Sequence, residues 1–264
     1  MLGYGNAHPL TKAGNMDLAV DYDHELNRHI HTVSGASEVL RLAFPGVMPS
    51  SVLDVGCGSG TWLRAAQERG TADLFGVDGV SLDPARLHID KSLTRQVDLN
   101  QPLDLGRRFD LVICLEVVEH LEPSSAATIV ESLCRHADDI LFSAAAPGQA
   151  GTHHINCQWP SYWQELFNRN GFTCRDDLRW KLWDNEAIEP WYRQNIFRAS
   201  LDRGQAGQEE RIFSVVHPDA LSTFSHSFFD QHRDLIERGG MRWPWYIGLP
   251  IKAAAAKVKA RFGK

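Results

Sequence analysis

The chain has 264 residues, 43% of them hydrophobic and 23% charged, which is the composition of an ordinary globular protein with enough length for one large domain or a domain with an added lobe. A net charge of −6 gives no general electrostatic case for nucleic acid, and no run approaches the roughly 18 apolar residues that a membrane helix needs. Five cysteines, an odd number without a CxxC pair, argue against a disulfide framework and a thiolate zinc site, and the N-terminus lacks an export or transit pattern, so the expected location is cytoplasmic.

Residues 1–21 read as a loose leader, and the apolar spacing from Asp23 to Phe44 predicts a helix that Pro45-Gly46 ends. Ser51–Val55 is a first strand, and Thr61–Arg69 a helix stopped by Gly70. Strands follow at Leu74–Val77, Gln96–Leu99 and Phe109–Leu115; the last, FDLVICL, is apolar throughout, as suits a strand buried on both faces of a parallel sheet. Residues 122–136 are helical in pattern, Ile140–Ala145 a fifth strand, and Ser161–Asn170 a helix closed by Gly171. Phe172–Arg179 and Trp191–Leu201 predict two final strands joined by the charged segment WDNEAIEP, an aromatic-rich hairpin over the sheet edge. This alternation predicts the α/β class: a doubly wound Rossmann-like seven-stranded sheet with an N-terminal helix and a C-terminal appendage. The expected division is 1–45 for leader and cap helix, 46–201 for the core, and 202–264 for the appendage and basic tail.

VLDVGCGSGTW, residues 52–62, carries glycines at every second position where the first strand ends. In a doubly wound sheet that turn faces the ligand, and glycines there admit a close backbone approach. A dinucleotide fingerprint would need glycine after Gly60 where Thr61 stands, and no Lys-Ser/Thr pair follows to make a P-loop. A carboxylate ending the second strand, here Asp78, can accept hydrogen bonds from both ribose hydroxyls of a nucleoside.

The sequence D-x-G-x-G-x-G, with Asp54, Gly56, Gly58 and Gly60, resembles motif I of the class I S-adenosylmethionine (SAM) dependent methyltransferases, and the resemblance runs over about residues 50–145. It implies that Asp54 and the glycines border SAM, that Asp78 binds its ribose, and that Asp98 and the Leu99 N–H meet its adenine.

The segment FDLVICLEVVEHLEP places Glu116, Glu119 and His120 at i, i+3 and i+4, which is one side of a helix. The pattern E-x-x-E-H-L is widespread among methyltransferases and can be plain structure. Read as a site, two carboxylates and an imidazole suit a divalent ion such as Mg²⁺. It is similar to a pattern in small-RNA 3′-terminal 2′-O-methyltransferases, where a later histidine completes the site, and in ubiquinone-biosynthesis O-methyltransferases. His153 and His154, in the Gly-rich loop after the fifth strand, are candidates for that later group, with His154 favoured as base or ligand. The blocks QWPSYW and WYRQN resemble bacterial methyltransferases of sugars, glycans and secondary metabolites. The resemblance implies SAM-dependent O-methylation of a small polar acceptor, with Glu119, His120 and His154 handling the acceptor proton or a metal. Its rivals are an RNA-terminal 2′-O-methyltransferase and a noncatalytic SAM-binding scaffold. The tail RWPWYIGLPIKAAAAKVKARFGK is basic and aromatic-led; a solvated terminal helix is the favoured reading, and contact with an anionic surface the other.

Overall fold

The computed structural model describes residues 31–149 and 151–221; the expected leader, the first turns of the helix expected from Asp23 and the basic tail lie outside them. The helix α1 (Val33–Ala43) starts at Thr32, whose hydroxyl accepts the Gly35 N–H at 3.0 Å. Such a cap satisfies one of the orphan donors of a helix start. Then follow β1 (Ser51–Val55), α2 (Thr61–Glu68), β2 (Asp73–Asp78), β3 (Thr94–Gln96), β4 (Leu111–Leu115), α3 (Ala126–His136), β5 (Asp139–Ser143), α4 (Pro160–Arg169), β6 (Phe172–Arg175), α5 (Asp177–Leu182), α6 (Pro190–Asn195) and β7 (Phe197–Leu201).

The seven strands form one sheet in the order β3-β2-β1-β4-β5-β7-β6, parallel except for β7, which runs antiparallel to both β5 and β6. Both faces are covered, which explains why the central strands read as unbroken apolar runs rather than alternating ones. Leu53, Val112, Cys114, Ile140 and Phe142 face α3 and α4, whereas Val52, Leu111, Ile113 and Leu141 face the layer of α1, α2, α5 and α6. Strand order reverses between β1 and β4, so the crevice for a ligand opens beyond their carboxyl ends.

Several boundaries differ from the expected ones. The third strand is Thr94–Gln96, not Gln96–Leu99: Thr94, Arg95 and Gln96 pair with Gly76, Val77 and Asp78 at the sheet edge, and Leu99 turns into the core instead. Its polar sequence is what an edge strand tolerates. The fourth strand starts at Leu111 because Phe109 donates its N–H to the His136 carbonyl, 2.7 Å away, at the end of α3. The expected final hairpin is corrected to two short strands, β6 and β7, with α5 and α6 between them. Pro190, at the first turn of α6, is preset for that helix, and its missing N–H is not needed there. This insertion ties down α1: Glu189 accepts the Thr32 N–H at 2.9 Å and its hydroxyl at 2.8 Å, and Asn185 donates to Glu38 at 2.9 Å.

Residues 202–221 pack on the same core. Ile212 belongs to the cluster on the α3–α4 face, and Glu209 accepts from Gln164, Asn168 and the Cys174 N–H. Phe142 is the hub of that cluster, with the rings of Trp163, Phe167 and Phe197 at 5.5, 5.2 and 5.1 Å. Phe142→Ala is expected to cost about 3–5 kcal/mol in urea unfolding; a loss under about 1 kcal/mol would show that this cluster is not what holds the helices to the sheet.

Candidate functional site

The turn after β1 is held in a shape that only glycine takes without strain. Gly56 has φ +80°, and a Cβ there would stand 2.3 Å from a methyl group of Val117. Its N–H and that of Cys57 both go to the Val77 carbonyl of β2, at 2.8 and 3.0 Å. Asp78, at the end of β2, accepts the Gly58 N–H on one carboxylate oxygen (2.8 Å) and the Val80 N–H on the other (3.0 Å).

These groups wall one end of a cavity of ≈ 960 Å³ over the strand-order reversal. Gly56, Gly58 and Asp78 line it, as do Asp98 and Leu99 in the loop after β3. Asp98 accepts the Asn100 N–H at 2.9 Å. Gly60 and Asp54, expected to border the ligand, do not line the cavity. Asp54 lies buried beneath the turn, and burial, followed by the charge of Asp78, drives its carboxyl well above the usual carboxylate range. The lining also includes His31, Trp62, Glu116, His120, His153 and Tyr192. Trp62 closes the glycine motif without a role that its sequence position suggests, and His31 and Tyr192 carry no sequence signal. The Tyr192 hydroxyl meets His31 Nδ1 at 2.9 Å, and Trp62 lies edge-on to the Tyr192 ring at 5.0 Å.

Glu116, Glu119 and His120 do not share a helix face. Glu116 ends the β4 run with φ +55°, a conformation rare outside glycine, and Val118–His120 is a single 3-10 turn. The two carboxylates therefore take different surroundings. Glu116 receives Gln149 Nε2 on one oxygen at 2.6 Å and Asn195 Nδ2 on the other at 3.1 Å. Burial raises its carboxyl to about 7, opposed by the hydrogen bonds from Asn195, Ser143 and Gln149. Glu119 is fully buried, and neither of its oxygens has a hydrogen-bond partner. Burial, and then the charge of Glu116, drives it well above the carboxylate range.

Glu119, His120 and His154 come together, with one ligand atom of each inside a 4.8 Å span. Glu116, expected with them, is a side-chain neighbour of Glu119, while its own oxygens also receive the amides of Gln149 and Asn195. His154 packs edge-on to His120 at 4.9 Å, and its Nδ1 lies 3.1 Å from the Gln149 carbonyl. The loop is pinned by the Glu119 carbonyl, which accepts the N–H groups of Ile155 and Asn156 at 2.9 and 3.0 Å. Gly151 has no room for a Cβ, which would lie 2.1 Å from the His154 ring. His153 lines the cavity, whereas the favoured His154 stands behind His120. Burial, with His154 alongside, lowers the His120 imidazole to about 4, and burial lowers His154 as well, so both are neutral near pH 7.

One carboxylate and two neutral imidazoles are a donor set for a zinc- or manganese-like ion more than for Mg²⁺, which prefers oxygen. The unbonded Glu119 oxygens fit such a cation.

The family model of a methyltransferase domain matches residues 22–177. A ubiquinone biosynthesis O-methyltransferase of Acinetobacter baylyi is 31% identical over 107 residues, covering 37% of this chain and 44% of that protein. The chain thus spans less than half the length of the curated relatives it matches. Among solved structures, the sugar N-methyltransferase KedS8 of a Streptoalloteichus species superposes with a TM-score of 0.53 at 17% identity, covering 76% of this chain and 99% of that one. DesVI of Streptomyces venezuelae gives a TM-score of 0.51 at 16% identity, covering 67% and 95%. At these identities the likeness is one of fold: the Rossmann-like sheet of the methyltransferases. Among the described residues, no helix is long and apolar enough to cross a membrane.

The state of Glu119 can be read from stability. Its carboxyl is raised in the fold, so its contribution is fully present below the ordinary value of 4.5 and is lost as pH rises toward the folded value. In metal-free protein, Glu119→Gln is expected to raise Tm more at pH 8 than at pH 5, by about 2–4 °C for each kcal/mol relieved. An equal or lower Tm for the variant at pH 8 would show that the carboxylate is compensated in the fold.

Proposed function

The chain belongs to the class I SAM-dependent methyltransferase family, and from that premise we propose that it moves the SAM methyl group to a hydroxyl oxygen of a small polar acceptor, such as a sugar, a glycan precursor or a secondary metabolite. The observation that carries this reading is one cavity lined both by the glycine turn with Asp78 and by imidazole, phenol and indole side chains.

In this reading the Asp78 carboxylate takes the ribose hydroxyls, Asp98 and Leu99 border the adenine, and the Gly56–Gly58 backbone admits the amino-acid half. SAM is a strong donor, so what the protein must do is align acceptor oxygen, methyl carbon and sulfur and take the acceptor proton. In this reading His120 takes that proton; its place in the cavity lining, its lowered pKa and the nearness of Glu119 and His154 support the role. His154 and Glu119 act through His120 rather than on the acceptor. A divalent ion held by Glu119, His120 and His154 would supply charge that lowers the pKa of the acceptor hydroxyl. Cytoplasmic placement is part of the reading, since the five cysteines are free thiols. An RNA-terminal 2′-O-methyltransferase is not favoured, because the net charge is −6 and no Lys or Arg lines the cavity among the described residues.

The test is S-adenosylhomocysteine (SAH) release over a panel of glycosides and catechols, with SAH binding measured in parallel. His120→Ala is expected to lower turnover by about 10²–10⁴-fold and to leave SAH affinity within about threefold. Asp78→Ala is expected to weaken SAH by about tenfold or more. Removal of metal with EDTA and its restoration by Mn²⁺ or Zn²⁺ tells metal assistance from simple base catalysis. Wild-type turnover in His120→Ala would remove the histidine from the mechanism.

A further inference from the structure

Glu116 is the one cavity acid with no place in that scheme. Among the described residues, four acids line the cavity: Asp78, Asp98, Glu116 and Glu122. Asp78 and Asp98 stand at the nucleoside end, and Glu122 is beside them, its N–H donated to Asn100 at 2.9 Å. Glu116 lines the cavity next to Val117, on which the Gly56 turn packs.

The buried amides around Glu116 have their orientations dictated from both ends. At one end the Ala146 N–H donates to Gln149 Oε1 at 3.3 Å, which turns Gln149 Nε2 toward Glu116. At the other, the His217 N–H donates to Gln194 Oε1 at 2.9 Å, so Gln194 Nε2 donates to Asn195 Oδ1 at 3.0 Å. Asn195 Nδ2 is thereby turned toward Glu116, and it also donates to Gln149 Oε1 at 2.8 Å. A backbone N–H cannot reverse its polarity, so neither amide can flip without leaving two donors face to face. Each Glu116 oxygen thus receives one amide N–H, and these bonds, with Ser143 and Glu119 alongside, favour the charged carboxylate against burial. A carboxylate held ionised by these donors, facing a cavity that no Lys or Arg lines among the described residues, is matched by a cation in the ligand.

We propose that Glu116, oriented by Gln149 and Asn195, is the counter-charge for the sulfonium of bound SAM and lets the protein distinguish SAM from SAH. This rests on the methyltransferase reading above. The sulfur is one methylene from the ribose, so a ribose held at Asp78 puts it by the Gly56 turn, on the Glu116 side. When the acceptor oxygen takes the methyl group, the S–CH₃ bond pair stays on sulfur and the acceptor proton passes to the base. Sulfur becomes a neutral thioether, the attraction to Glu116 is lost, and SAH leaves more easily than SAM. Asn195 and Gln149 are positioning residues; Gln194 and the His217 backbone extend the chain of bonds to the segment after β7.

The experiment is calorimetric titration of wild type, Glu116→Gln and Asn195→Leu with SAM, SAH and sinefungin, whose amine carries a positive charge where the sulfonium sits. Glu116→Gln is expected to weaken SAM and sinefungin by about tenfold or more while SAH changes by less than about threefold. Asn195→Leu should shift the same two ligands in the same direction. Retained SAH binding reports that each variant is folded. Equal weakening of all three ligands, or no change in any, overturns the proposal and leaves the methyltransferase reading standing. A wild-type protein that binds none of them overturns that reading itself.

Discussion

The carboxylate of Asp78 takes the N–H of Gly58 on one oxygen and that of Val80 on the other, and so ties the turn after β1 to the end of β2. The turn's glycines have no side chains to hold them, and their left-handed backbone could relax into other shapes. Its shape is fixed by that carboxylate, by the Val77 carbonyl that takes two more N–H groups, and by Val117 pressing where a Cβ would be. The cavity exists because these three contacts hold the backbone away from the crevice between β1 and β4. In the proposed reading the site is laid out from that turn, with the nucleoside on the β2 side and the acceptor on the β4 side.

Beyond the turn, the site is governed by what burial does to charge. One carboxylate oxygen of Asp54 and both of Glu119 are sealed away without a hydrogen-bond partner, and burial drives both groups well above the usual carboxylate range. His120 and His154 are held neutral by the same low-dielectric surroundings. Glu116 differs from Glu119 although only three residues separate them, because two side-chain amides reach Glu116 and none reaches Glu119. The reversed backbone at Glu116 makes that difference by giving the two side chains different neighbours. A pair of carboxylates with unlike surroundings can divide work between binding charge and moving protons.

Much of this was legible in the sequence. β1 matches its expected bounds, and β4 and β5 were found to within two residues, because unbroken apolar runs between turn residues can hardly be other than buried strands. The glycine turn and Asp78 were legible because spacing alone separates this pattern from dinucleotide and phosphate loops. The α5–α6 insertion was not, since six-residue helices rich in aromatic and charged residues show neither period clearly; their form is decided by packing on α1. The unlike surroundings of Glu116 and Glu119 were hidden because nothing in E-V-V-E-H announces a positive φ at its first residue. Asn195 and Gln149 gave no signal either: an amide that orients a carboxylate 79 or 33 residues away is a fact of tertiary structure.

The most direct test of the central claim is a crystal structure of the protein grown with SAH. The account predicts the ribose hydroxyls on the Asp78 carboxylate, the adenine between Asp98 and Leu99, and the thioether sulfur on the Glu116 side of the Gly56 turn. Nucleoside density anywhere but in this cavity, or in it with the ribose away from Asp78, would contradict it.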